Sequence, residues 1–263
     1  MPLSLLYCAL FKPVGAVCGL LPAGAAAMGR GSIMDIFSAW GRQLAAAALL
    51  TVEIALLSLI FGLIWGLLVA WAKASSHYIL RKAADIYVSA LRGIPELLVI
   101  FIIFYGGAVT LTALNARLFG GSYVEIPAYL AGAFALSLVF GAYAAENIRG
   151  ALLAMPRGQI EAGEAIGLSR RAVFYYIRLP FLWRYALPGL ANNWLSLLKD
   201  TSLVSIIGLQ EIMGTTDIAV AFTHKPFSFY AMAAAIYLFL TLVNLVGIRL
   251  LEKRLSHYER RAA

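Results

Sequence analysis

Charge is scarce in this sequence. Asp, Glu, Lys and Arg make up 13% of 263 residues, against roughly 25% in soluble domains. Hydrophobic residues reach 62% and the mean hydropathy is +0.84, which argues against a soluble globular domain. Cysteine is nearly missing: Cys8 and Cys18, both near the N-terminus, supply neither a disulfide framework nor a metal site. His77, His224 and His257 are scattered, and no metal site is read from them. There is no G-x-x-x-x-G-K-[ST], H-E-x-x-H, C-x-x-C or G-x-S-x-G, so no phosphate-binding loop, zincin helix, redox pair or nucleophile elbow is expected. No aromatic-and-basic repeat accompanies the net charge of +8, which sets a nucleic-acid module aside.

Long apolar runs remain. They predict a multi-span, all-α integral membrane protein, since helices satisfy their own backbone groups inside lipid. Spans are expected at about 44–72, 94–113, 127–149, 187–209 and 227–251, the second preceded by an amphipathic lead-in over 83–91. Gly62 and Gly66 form a small-xxx-small pair in the first span, where a neighbouring helix can approach closely. Residues 1–39 read as an N-terminal extension, with Met28 or Met34 as an alternative start, and 256–263 as a basic tail.

Basic residues set the expected orientation. Segments 73–82, 149–184 and 249–261 hold three, six and five Lys and Arg, whereas 114–126 and 210–226 hold one each. Five spans with the N-terminus outside and the C-terminus in the cytoplasm satisfy this pattern.

The longest polar interruption is 158–180. A short helix from about Gln159 to Ile166 is expected to stop at a left-handed Gly167, with Ser169 capping a second piece that reaches Arg178 and ends at Pro180. Glu161 and Glu164, three apart, share one face, with Ile160 and Ile166 as apolar anchors. Two short helices on a loop between spans suit a partner outside the membrane.

Glu161-Ala162, Gly167, Ile177 and Leu179-Pro180, at their spacing, resemble the EAA loop of permease subunits of binding-protein-dependent ABC importers. Gly163 departs from the family's second alanine, which weakens a short helix by about 0.5–1 kcal/mol. Arg92-Gly93-Ile94-Pro95, Gly141-Ala142-Tyr143 through Glu146 and Arg149-Gly150, and Asn192-Asn193 through Leu198 to Leu203 resemble the polar amino acid subfamily, with Glu96 favouring its histidine/lysine/arginine and opine members. The likeness covers about 40–255. It implies a five-span type I permease core in a bacterial inner membrane, with Glu161, Ala162, Gly167, Ile177, Leu179 and Pro180 coupling it to two ATPase subunits. It also implies a second permease, usually a different chain, and an external solute-binding protein. ATP and Mg would sit on the partner ATPase, and this chain would have no catalytic residues and bind no cofactor.

Ionisable and polar groups within spans are costly and usually functional. Glu53, Arg92, Glu96, Asn192, Asn193, Lys199, Asp200, Thr201 and Ser202 are therefore candidates for the pathway or the substrate. The other reading is that they bond neighbouring helices. Lys199 and Asp200 point about 100° apart on a helix and need different partners or a helix break. Glu146 and Arg149 read as a structural ion pair, and Arg92 with Glu96 permits the same reading. A self-contained ion-coupled transporter and a membrane-embedded enzyme using Glu53, Glu146 or Lys199-Asp200 are the rival classes.

Overall fold

The structure, a computed structural model, describes residues 33–256, with side chains described for 40–250 and 253. The expected N-terminal extension and basic tail lie largely outside these residues. Helix α1 is Ile33–Ala74, α2 is Tyr78–Gly93, α3 is Glu96–Phe119 and α4 is Ala128–Leu153. Two short pieces follow, α5 at Arg157–Ala165 and α6 at Arg170–Val173. Then come α7 at Leu179–Asp200, α8 at Ile212–Thr223 and α9 at Pro226–Ser256.

Among the described residues, four helices are long and apolar enough to cross a membrane: Trp40–Ala74, Glu96–Phe119, Ala128–Leu153 and Pro226–Leu250. A fifth span is made if the pair Arg170–Ile207 and Ile212–Thr223, bent by 49°, counts as one. Five apolar segments were expected, so the architecture agrees. The fourth differs in kind, because α7 passes into a 3-10 turn at Thr201–Ile207 and turns at Gly208, whose φ is +95°. The expected loop at 210–226 is mostly helix. Its first acid, Glu211, is fully buried as the N-cap of α8 instead of standing in water.

Helix α4 is the central post. Its small residues Ala131, Ala135, Ala142, Ala144 and Ala145 are buried, and α1 lies against them. A Cβ on Gly62 would fall 2.8 Å from Phe140 Cδ1, and one on Gly66 would fall 2.9 Å from Ala144 Cβ. Close backbone approach through small residues is how membrane helices gain dispersion contacts without a hydrophobic driving force between them. Both contacts advance together along α1 and α4, so these helices run parallel. The ends of α1 and α4 that carry Lys73 and Glu146 therefore meet at one end of the bundle.

That end is tied by ions. Buried Lys73 bonds Glu146 on α4 and sits 3.0 Å from Asp85 on α2, while Arg149 Nε lies 3.5 Å from Glu146 Oε2. The expected Glu146–Arg149 pair is thus one link of a four-residue network. Lys73 belongs to the last turn of α1 rather than to a basic loop. At the opposite end, Trp40 meets Phe229 edge to face at 6.0 Å.

Candidate functional site

Two places collect the polar residues singled out in the sequence. The first is the α5–α7 loop. Pro156 precedes α5, whose end is sealed by two bonds: Gly167 N–H to Glu164 O at 3.0 Å and Leu168 N–H to Gly163 O at 3.1 Å. With Gly167 at φ +85° this is the glycine-terminated cap expected for the helix stop. Ser169 Oγ then accepts from Ala172 N–H at 3.3 Å and starts α6.

Pro180 does not end that second helix. The chain widens into a π turn at Phe174–Arg178 and continues as α7, with Pro180 in its first turn. Proline is tolerated there because its missing N–H falls where one bond is already lost, and a wider turn relieves the clash of its ring with the preceding carbonyls.

Glu161, Ala162 and Glu164 are exposed, and Ile166 is 78% exposed. Ile160, Ile177 and Leu179 are half-buried, and Pro180 is exposed. Gly163 is buried, and a Cβ placed on it would lie 2.5 Å from Ile177 Cδ1 and 3.5 Å from Val173 Cγ2. The departure from alanine thus has a geometric counterpart: the δ-methyl of Ile177 occupies the space. Phe174, Tyr175, Tyr176 and Trp183 are exposed nearby in sequence. Among the described residues, Glu161 and Glu164 make no ion pair. The loop therefore offers free carboxylates beside apolar and aromatic surface.

The second place is a cavity of about 280 Å³ between α3, α4 and α7. Glu96, Asn192, Asn193 and Asp200 line it, together with Tyr143 and Ser196, over an apolar wall that includes Leu136, Val139 and Phe140. Asn192, Ser196 and Asp200 recur every four residues and make one polar stripe on α7. Asn193 Nδ2 is buried and makes no hydrogen bond among the described residues. Arg92 places its guanidinium 5.5 Å from the Tyr143 ring centroid rather than pairing with Glu96. The helix break at Ile94-Pro95 separates the two.

The remaining pathway candidates lie elsewhere. Lys199 is exposed on another face of α7, and the helix breaks directly after Asp200. Thr201 is fully buried and donates to Leu198 O at 2.7 Å, while Ser202 O accepts from Ser205 Oγ at 2.7 Å. Glu53 is exposed on α1 and accepts from Tyr129 OH at 2.9 Å.

Tyr143, noted only within a family-like stretch, and Ser196 were not among the site candidates. The i, i+4 spacing of Ser196 with Asn192 and Asp200 carried the signal. A buried polar knot was also missed: Glu211 Oε1 accepts from Met213 N–H at 2.8 Å and Gly214 N–H at 3.0 Å, and Glu211 Oε2 from Tyr237 OH at 2.8 Å. Among the described residues, no group of three His, Cys, Asp or Glu could hold a metal ion.

A family model described as "Binding-protein-dependent transport system inner membrane component" matches residues 59–257. The arginine ABC transporter permease protein ArtQ of Haemophilus influenzae is 44% identical over 214 residues, covering 81% of this chain and 94% of the relative. The nopaline transport system permease protein NocQ of Agrobacterium fabrum is 44% identical over 215 residues, covering 81% and 91%. A crystal structure of an amino acid ABC transporter with histidines superposes with a TM-score of 0.74 at 28% identity, covering 85% of this chain and 99% of that one.

Proposed function

The chain belongs to the inner-membrane component family of binding-protein-dependent transport systems, and from that premise we propose that it moves a cationic amino acid or an opine, driven by ATP bound on another polypeptide. The exposed, capped α5 carries this reading: Glu161, Glu164 and Ile166 are all exposed, and among the described residues neither glutamate makes an ion pair. An acidic, apolar-edged helix of this kind fits a groove on a soluble ATPase, where a basic residue would meet Glu161. Two ATPase subunits would hold ATP and Mg, and their closure would reach the spans through residues 158–180 and alternate the access of the cavity.

Orientation follows from the basic segments. The parallel run of α1 and α4 brings 73–82 and 149–184 to one end, which is the cytoplasmic end under the positive-inside rule. The C-terminus then lies in the cytoplasm and the N-terminus outside, where a solute-binding protein delivers substrate. Glu53, an exposed carboxylate on an apolar helix, supports a second permease beside α1, since such a group is costly in lipid. Glu96 and Asp200 in one cavity suit a cationic group, and Asn193 Nδ2 suits a carboxylate. Relatives are named for arginine, nopaline, octopine and histidine/lysine/arginine/ornithine.

The test is Glu161→Ala in the assembled transporter. Uptake coupled to ATP should be lost while membrane insertion persists. Normal uptake at normal expression would overturn the coupling role.

A further inference from the structure

Helix α9 meets the rest of the chain along one side. Phe239, Leu242 and Val246 are exposed on its outer face, while Phe229 and Ala233 are buried and Leu240 packs on the core. The inner side also carries three polar residues, Tyr230, Tyr237 and Asn244, at a strict seven-residue spacing. Two turns of helix separate each from the next, so the three stay on one side, about 10 Å apart along the axis. Polar groups within a span are costly unless they are bonded.

All three are bonded, and their partners run in reverse order along the chain. Tyr230 OH donates to Asp217 Oδ1 at 2.9 Å, Tyr237 OH donates to Glu211 Oε2 at 2.8 Å, and Asn244 Oδ1 accepts from Trp194 Nε1 at 2.9 Å. Asp217 belongs to α8, Glu211 is the N-cap of α8, and Trp194 belongs to α7. The ladder therefore crosses the 49° break between α7 and α8, with rungs on both sides of it. Its rungs are aimed. Asn244 Nδ2 donates to Leu240 O at 2.8 Å, which turns Oδ1 toward Trp194. Glu211 Oε1 takes the N–H groups of Met213 and Gly214, which leaves Oε2 for Tyr237. Within the break, by contrast, the hydroxyls of Thr201 and Ser205 bond locally, to Leu198 O and Ser202 O. Val204 is held by packing, so close to α4 that a Cβ on Gly132 would collide with it. Packing sets separation, whereas hydrogen bonds set direction, because they weaken steeply off line.

We propose that Trp194, Tyr237 and Asn244 are positioning residues: α9 splints the broken span and so fixes Asp200, six residues past Trp194 at the start of the break, in the wall of the cavity. Single hydrogen bonds between membrane helices add little stability, so three rungs in fixed register are suited to direction more than to strength. That a substrate meets Asp200 in the cavity rests on the function proposed above, but the splint does not.

The experiment uses the assembled transporter in nanodiscs, with Cys8 and Cys18 replaced by Ser and spin labels on Lys199→Cys and Ala221→Cys, exposed positions on either side of the break. The parent protein should give one narrow label-to-label distance. Trp194→Phe with Asn244→Leu removes one rung without leaving either partner unpaired, and Tyr237→Phe removes another; each should broaden the distance. Ala233→Gly, which weakens α9 without touching a rung, should lower the melting temperature and leave the distance narrow. Binding of labelled arginine to the same complexes should weaken about tenfold in both rung variants, as in Asp200→Asn, the size of one lost charged hydrogen bond. An unchanged distance in the rung variants would overturn the splint, and so would equal broadening by Ala233→Gly. Arginine binding that falls with Asp200→Asn but not with the rungs would overturn the positioning role. If Asp200→Asn leaves arginine binding unchanged, the cavity reading fails, and the label distance still decides the splint. Should one rung variant fail to assemble, the other carries the test.

Discussion

Glu211 shows how much one buried side chain can organise. It caps α8, and through Tyr237 it ties that helix to α9. Thr51 on α1 accepts from Ile212 N–H at 3.4 Å within the same knot. Glu211→Ala would leave two N–H groups and a phenol without an acceptor, a loss of about 3 kcal/mol. Thermal unfolding in detergent should show a clear drop, with Tyr237→Phe costing about 1 kcal/mol. An unchanged melting curve for the alanine variant would remove the knot from the account. Gly163 is the second informative residue. Gly163→Ala gains about 0.5–1 kcal/mol of helix preference but drives a methyl into Ile177, and overpacking costs about 1–3 kcal/mol. The substitution alone should destabilise the loop, and adding Ile177→Val should recover the loss. Equal effects of Gly163→Ala in both backgrounds would show that the two residues are uncoupled.

At the scale of elements, α1 and α4 are joined by small residues along their length and by charge at one end. Lys73 is the hinge pin of that end. Lys73→Met should cost about 3 kcal/mol, because Glu146 and the half-exposed Asp85 lose the cation they share. The hydrogen bond from Lys73, opposed by partial burial, holds the Asp85 carboxyl below its ordinary value. A carboxyl lowered in the folded state adds stability above its unfolded value and loses it as pH falls through the folded one. Melting temperature should therefore decline on acidification below about pH 4, the ordinary carboxyl range, and Asp85→Asn should flatten that decline. The elements themselves were legible where composition is uniform. The apolar runs of α1, α4 and α9 marked themselves, and Gly167 and Ser169 behaved as punctuation should. Helix α8 was not legible, because Glu211, Asp217, His224 and Lys225 look solvent-facing until tertiary packing buries the first of them. Pro180 misled for a similar reason: its local rule holds for a regular helix, and the π turn before it changes the geometry.

At the scale of the whole molecule, the fold places its two polar sites on different structural footings. The cavity sits between long helices, while the α5–α7 loop projects from the end where α1 meets α4. Of the cavity, Glu96, Asn192, Asn193 and Asp200 were readable from the cost of polar groups in lipid. That argument cannot separate a cavity wall from a buried bond, so Thr201 and Lys199 were swept in with them. On the proposed function, Asp200→Asn should weaken uptake of a cationic amino acid by about tenfold, the size of one lost charged hydrogen bond. Uptake assays with a panel of labelled amino acids check this, and an equal loss for neutral substrates would reassign Asp200 to structure.

The clamp between Gly163 and Ile177 also has a mechanical meaning. Helix α5 has nine residues and is about 13 Å long, and Gly163 is its one buried residue. A short rod seated at one buried residue near its end, and mostly exposed elsewhere, resists thrust along the line of its pin more than it resists tilting about it. On the proposed function, such a joint would pass displacement into α6 and α7 while letting the docked surface tilt, so two bodies joined by it need not rotate together.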